Sequence, residues 1–481
     1  MLFAFSNGNL GKHARRLLAL CLWWSIAWGA AGETRQNEAQ AAWAEADITP
    51  PLGIALGGRG GAEAEANKVL DPLYAQVLVL KDGKGAGFVL VSLDLVGIQH
   101  DTSDRIRMGI AAELGIELNL VVLNCSHTHS GPLMYRQLFA GIDPTPQIEA
   151  DYLESLINKV ILSARRAARE LKPVKVEVFR GTSKTGINRR GKNRQGNPGI
   201  LPNPSGPMDT NVWVMRLSRL DGAPAALVFS YACHPVLVYG FAHAALSADF
   251  PGAARNALRE ELGREIHVQF VQGLGGNIRP RITADIENNR WARGSLADVK
   301  QAGTDLANAV LAALKTKGEA VHLNLAATMD RPFLPRTNPP PRIIYERMAE
   351  GTNEFQKAVA RYWLDRYDQR EGFARGDSWP VGLIRLADNQ WIVYLAGEPV
   401  VEWGPKISTW LAPRNLVVWG YCQESISYLP TEELLPEAGY EVAQSNYNRA
   451  TTPAPLAPGI HEAVRRSLLR QAAFLETETA K

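Results

Sequence analysis

Two histidines one residue apart stand in Asn124-Cys125-Ser126-His127-Thr128-His129-Ser130-Gly131-Pro132 of this 481-residue chain. Imidazole binds divalent metal ions and moves protons near neutral pH. The pair follows residues 118–123, an apolar, β-branched run that reads as a buried strand, and Gly131-Pro132 then breaks the chain. Open α/β sheets place their ligand and catalytic groups where a strand gives way to a loop. In strand geometry the side-chain period of two sends both rings to one face, so one can serve a metal and the other a substrate. Alone, a His-x-His is an ordinary polar loop. Its meaning depends on what else the chain brings to the same place.

Four further apolar runs end in polar groups. His234 follows 226–231, Asn277 and Arg279 follow 268–272, Glu398 follows 391–395, and Tyr421 and Tyr428 follow 416–419. Each has a structural explanation when taken singly: a glutamate after glycine often charges a helix N-terminus, and a tyrosine after a strand is often half-buried core. Together, two histidines and a glutamate at strand ends form the ligand set of a catalytic zinc site, with the fourth position left to an oxygen. Zinc lowers the pKa of bound water to about 7 and so supplies a nucleophile without a serine triad. Neither a His-Glu-x-x-His helix nor a Gly-x-Ser-x-Gly elbow occurs. Cys125, Cys233 and Cys422 lie close to these groups and are weighed as ligands, but small buried fillers at strand ends is the simpler expectation.

The elements that position these groups alternate. Strands are expected at 75–80 and 88–93, a capped helix at 102–115, the 118–123 strand, and an amphipathic helix at 148–171. A strand at 174–179, a long polar loop entered by Gly186-Ile187-Asn188-Arg189-Arg190, and a hairpin (212–217, 226–231) turning at Asp221-Gly222 come next. Asp249 and Pro251 read as the N-cap and first turn of a helix. Then come the 268–272 strand, a helix at 295–315, a strand at 321–329 and a helical hairpin at 343–370. The last sits in an insert, 331–375, that is a candidate lid. Strands at 391–395 and 416–419 and a tail helix from Gly459 finish the chain. No internal repeat is visible. This predicts one large α/β domain, mixed β-sheets flanked by helices, with a metal site at the C-terminal ends of strands.

Composition supports an ordinary globular domain, at 46% apolar and 21% charged, and the net charge of +3 with no basic–aromatic run sets nucleic acid aside. Lys12-His13-Ala14-Arg15-Arg16, the apolar stretch 17–27 and Gly29-Ala30-Ala31 form a secretory signal pattern. The expected layout is a signal peptide at 1–31, a polar leader at 32–45 and the catalytic domain at 46–481. Localisation is then secreted or periplasmic, with no membrane span once the signal is cleaved. The cysteines left after cleavage are odd in number and form no disulfide framework. Oligomeric state is not legible.

Asp47-Ile48-Thr49-Pro50, Pro72-Leu73-Tyr74-Ala75, Ser126 to Pro132, Gly186-Ile187-Asn188-Arg189, His234-Pro235-Val236, Ser247-Ala248-Asp249, Gly397-Glu398 and Ser427-Tyr428-Leu429-Pro430-Thr431 occur in the order of the neutral (non-lysosomal) ceramidase family, which the chain resembles from about residue 46 to its end. The resemblance implies a zinc amidase with His127, His234, Glu398 and Tyr428 as zinc ligands. It implies His129 and Arg189 on the substrate carbonyl and headgroup side; Asn188, beside Arg189, and Tyr421, at its strand end, are candidate further substrate contacts. The family's smaller C-terminal β-sandwich domain finds no counterpart. Where the family carries Gly-Asp-x-Ser-Pro, this chain has Gly276-Asn277-Ile278-Arg279-Pro280, so Arg279 replaces the active-site serine.

The expectation is a secreted, ceramidase-like hydrolase of an N-acyl or lipid-like substrate. Zinc-activated water would attack the carbonyl, His129 would shuttle the proton, and Arg189 would help hold the oxyanion. Arg279, always charged and a donor only, would pair with Asp94 or Asp249 or select an anionic headgroup. A non-catalytic binding protein of the same fold, and a zinc esterase or lactonase, are the alternatives.

Overall fold

The computed structural model describes residues 38–58, 64–136, 139–141, 145–369 and 372–479. The expected signal peptide lies outside the described residues. The expected leader is too long at its C-terminal side, because Gln40–Asp47 is already a strand, paired along its whole length with Tyr74–Lys81.

Three mixed sheets repeat one topology. In the first, Gln40–Asp47, Tyr74–Lys81 and Gly87–Leu93 lie antiparallel in that order, and Val121–Cys125 adds to Gly87–Leu93 in parallel. The second repeats this with Lys175–Thr182, Asn211–Ser218, Pro224–Tyr231 and the parallel His267–Gln272. The third does so with Ala326–Asp330, Val381–Ala387, Gln390–Leu395 and the parallel Asn415–Trp419. Parallel neighbours need a crossover, and helices supply it: His100–Leu114, then Leu237–Phe241 with Asp249–Leu262, then Trp403–Trp410. A further helix follows each sheet: Gln147–Ala168, Leu296–Leu314 and Ile460–Thr479.

Alternation along the strands explains the packing. In Tyr74–Lys81, Val77 and Val79 join Ile106, Leu156 and Val160 under the first pair of helices, while Leu78 and Leu80 face the opposite way. That opposite core is shared by all three sheets: Leu90 and Val122 of the first, Trp213 and Val228 of the second, Ile392 and Trp419 of the third. The outer faces of the second and third sheets take Leu258 with Val310 and Ile407 with Leu468. Burial on both faces is why these strands read as continuous apolar runs.

Two sequence expectations change. The single strand at 321–329 is instead the edge strand Glu319–Ala320 of the second sheet and, after a break, Ala326–Asp330 of the third. The threefold repeat of topology is invisible in the sequence because it is carried by backbone pairing, not by residue identity. The inserted hairpin is present as Arg342–Glu350 and Glu354–Asp368. Its Tyr345, Val359, Ala360 and Trp363 pack with Ala140 into a small core of their own. No helix among the described residues is long and apolar enough to cross a membrane.

Candidate metal centre and cleft

The first sheet delivers the histidine loop. Val121–Cys125 ends, and the next two amides, Ser126 and His127, donate to the carbonyls of Leu93 and Leu95 at 2.8 and 2.9 Å. His127 adopts φ 67°, in the left-handed region, so the strand geometry expected for His-x-His does not hold. Such a conformation costs about 1–3 kcal/mol and persists only where the surroundings over-determine it. Here the Thr128 hydroxyl donates to Ser247 O at 2.7 Å and the His129 amide to Pro235 O at 3.1 Å. The two rings meet all the same, edge to face at 84°, with their Nε2 atoms 3.3 Å apart.

Backbone carbonyls set the tautomers. Nδ1 of His127 lies 2.7 Å from Val96 O, and Nδ1 of His234 lies 2.6 Å from Gly275 O. A carbonyl only accepts, so each Nδ1 carries the proton and each Nε2 turns its lone pair inward. Both face one oxygen: Glu398 Oε2 is 3.2 Å from His127 Nε2 and 3.3 Å from His234 Nε2. That oxygen is buried and makes no hydrogen bond among the described residues. Three converging acceptors with no proton between them suit a cation. The imidazoles of His127, His129 and His234 also form a group with ligand atoms within 4.8 Å of one another, so His129 competes with Glu398 and Tyr428 for a place in the set.

The segments after the third sheet's two parallel strands supply Glu398 and Tyr428 together, as register partners in a separate two-stranded parallel sheet. Gly397, at φ 68°, makes this approach feasible: a Cβ there would stand 2.5 Å from Ser427 O. The Tyr428 hydroxyl is 3.4 Å from His234 Nε2, and the two rings stack at 9°. Arg189 holds that hydroxyl. Its Nη2 donates to Tyr428 Oη at 2.9 Å, while its Nε donates to Glu441 at 2.9 Å. Glu441 in turn accepts from Arg190 at 2.8 Å, so one buried acid orders two successive arginines.

Burial sets the protonation states. It pushes His234 down to about 3, with Arg189 adding to the effect. It also holds His129 well below its ordinary value, helped by His127 and His234. Burial pushes Tyr428 well above the usual phenol range despite Arg189. His129 and His234 are therefore neutral imidazoles and Tyr428 a neutral phenol at pH 7.

The other expected residues divide. Tyr421 is at the site, its ring 4.3 Å from that of His127, and its buried hydroxyl has no hydrogen-bond partner among the described residues. Asn188 is turned away: its side chain takes the Arg190 amide and donates to Pro207 O, because neighbouring strand residues point oppositely. Arg189 is spent on Tyr428 and Glu441 and does not line the cleft described below. Arg279 does not line it either. Its guanidinium sits 4.8 Å over the Trp291 ring. Neither acid proposed for Arg279 is its hydrogen-bond partner. Asp94 is clasped by Arg255 at 2.6 and 2.8 Å, and Asp249 takes the amides of Val238 and Phe250. Asp249 is also the first residue of its helix, at φ 56°, rather than its N-cap. The three cysteines are buried and free, with burial pushing Cys422 up to about 12, which suits fillers and not thiolate ligands.

Several shared motifs turn out to be struts. Thr49 accepts the Leu73 amide, and Asp71 takes the Ala248 amide at 2.7 Å and the Ser247 hydroxyl, tying the Asp47 and Asp71 segments to the loop that anchors Thr128.

His127, His129, Glu398 and Tyr428 lie at a cleft of about 420 Å³. Its other walls include Leu56, Leu133, Phe139, Ile344, Met348 and Phe355, so the inserted hairpin does form one side. Tyr440, Glu441 and Arg449 were not foreseen. They lie in the irregular stretch between Tyr428–Leu429 and Ile460–Thr479, where no periodicity marks burial.

A mixed α/β domain with a buried imidazole–carboxylate cluster at the foot of an apolar cleft is the class defined so far: a hydrolase scaffold whose centre could hold a metal ion. The chain belongs to the neutral/alkaline non-lysosomal ceramidase family, whose N-terminal-domain model matches residues 41–292. Neutral ceramidase from Pseudomonas aeruginosa shares the fold, with TM-score 0.69 at 17% identity over 92% of this chain and 75% of that one. A ceramidase structure complexed with C2 matches equally, with TM-score 0.69 at 16% identity over 92% and 76%. The protein is thus a ceramidase-like hydrolase.

Proposed function

We propose that this hydrolase is a zinc-dependent amidase acting on N-acyl, lipid-like substrates. The observation that carries the reading is the convergence of two Nε2 lone pairs on Oε2 of Glu398, which has no hydrogen bond among the described residues, beside an apolar cleft. His127, His234, Glu398 and Tyr428 would hold the ion. Zinc bound there supplies a water acidic enough to ionise near pH 7 and polarises a carbonyl.

The chain's own groups do the rest. His129, kept neutral by burial, accepts the proton at Nε2 and returns it to the leaving amine. Arg189 orients the Tyr428 hydroxyl and adds positive potential where charge develops on the carbonyl oxygen. The Leu133, Phe139, Met348 and Phe355 walls hold an acyl chain and exclude water. Fatty-acid release from N-acyl substrates, abolished by a chelator and restored by zinc, tests the reading. Zinc-loaded protein that releases none refutes it.

Export also belongs to this proposal, supported by the charged and apolar pattern of residues 12–31. Mature protein that still begins at Met1 in mass spectrometry would overturn it.

A further inference from the structure

Half-buried Arg449 is one of the residues that line the cleft beside the imidazole–carboxylate cluster. Its Nε and Nη1 are sealed from solvent and have no hydrogen-bond partner among the described residues. Neighbouring arginines are committed elsewhere: Arg189 and Arg190 to Glu441, Arg136 to Glu149, Arg336 to Asp377. The carboxylate closest in influence, Glu398, faces His127 and His234 instead.

Arg449 is also held in place. Its amide donates to Asn446 O at 2.9 Å, its carbonyl accepts from Trp363 Nε1 at 3.0 Å, and its backbone bridges to Phe139. The guanidinium lies 5.7 Å from the Phe139 ring centre. A largely desolvated guanidinium without a counter-ion is costly, and a preorganised one is a ready donor for a carboxylate or sulfonate.

We propose that Arg449 recognises an anionic group on the ligand, so that the preferred substrate is an N-acyl compound whose amine portion carries a carboxylate or sulfonate. The acyl chain lies against the Leu133, Met348 and Phe355 wall. The headgroup role expected of Arg279 thereby passes to a residue that does line the cleft. This rests on the amidase reading of the same cleft, so the test reads binding and not turnover.

The probes are hydrolysis-resistant sulfonamides with one chain and three heads: N-dodecylsulfonylglycine, N-dodecylsulfonyltaurine and the neutral N-dodecylsulfonylglycinamide. Calorimetry on the zinc-supplemented full chain should show at least one anionic ligand binding about tenfold or more tighter than the neutral one. The order of glycine and taurine heads then identifies the anion. Arg449→Met should bring all three Kd values within about twofold, and Arg449→Lys should keep part of the preference. Equal wild-type affinities, or a preference that survives in a folded Arg449→Met, would overturn the proposal. A wild type that prefers the anions but hydrolyses no N-acyl substrate would instead count against the amidase reading alone.

Discussion

Arg189 Nη2 donates to the hydroxyl oxygen of Tyr428 at 2.9 Å, and this bond links the polar loop entered by Gly186 to the tyrosine that pairs with Glu398. On the proposed reading, Arg189 is a positioning residue that acts through Tyr428. Arg189→Met should lower kcat by about 100-fold while zinc content falls little, because the imidazoles and Glu398 remain. It should also cost about 3 kcal/mol of stability, since Glu441 keeps only Arg190 as a buried partner. Steady-state kinetics, elemental analysis and urea unfolding together check this.

Removing the second imidazole should remove the metal. His234→Ala is expected to purify with far less than one zinc per chain, whereas serine variants of Cys125, Cys233 and Cys422 should retain it. Chelation of the wild type should lower Tm, since an ion bound to the folded state alone stabilises it by mass action. Unchanged zinc in His234→Ala would remove His234 from the ligand set.

Gly58, at φ 75°, lies against His129, and a Cβ there would sit 2.6 Å from its Nδ1. Gly58→Ala should displace the imidazole and cut kcat/KM by about tenfold or more, for a backbone cost of only ~1 kcal/mol. A variant as active as wild type would show that the His129 position is not demanding.

The Asp94–Arg255 pair is buried and bidentate, and Asp94 also takes the Tyr74 amide at 3.0 Å. Asp94→Asn should destabilise by about 3–5 kcal/mol, because it leaves Arg255 buried without its anion. Urea midpoints at constant slope measure it.

His267 is buried 6.0 Å from the Trp43 ring, and burial pushes it down to about 4 from an ordinary 6.5. In that window the unfolded chain binds a proton that the folded chain does not. Stability is therefore intact above pH 6.5 and falls as pH drops toward 4, by up to ~3 kcal/mol from this residue. His267→Gln should flatten the fall in unfolding free energy between pH 6.5 and 4.5. An unchanged slope would mean that other groups carry it.

Residue types at strand ends were legible early, because a long apolar run that stops at a histidine or glutamate is a local pattern. Thus His127, His129, His234, Glu398 and Tyr428 could be named from the chain alone, and the structure brings them together. The rings of His127 and His129 converge through a left-handed turn at His127, not through the strand alternation that their spacing predicts. The strand Val381–Ala387 was missed although it is buried at every position, since Gly382 and Arg385 break its apolar run.

By itself, then, the sequence determined the α/β class, the family's ordered motifs and the polar groups that end its strands, all properties of short segments. The tertiary structure decided which of those groups meet. Arg189 and Arg449 have the same chemistry, yet one is neutralised by Glu441 and the other lines the cleft with Nε and Nη1 lacking a partner among the described residues. Asp94 and Asp249 could each have served Arg279, yet Arg255 and backbone amides claim them. An arginine's role is set by the counter-charge within about 4 Å of it. That neighbour lies up to 252 residues away in the chain, at a separation where no local pattern records the contact.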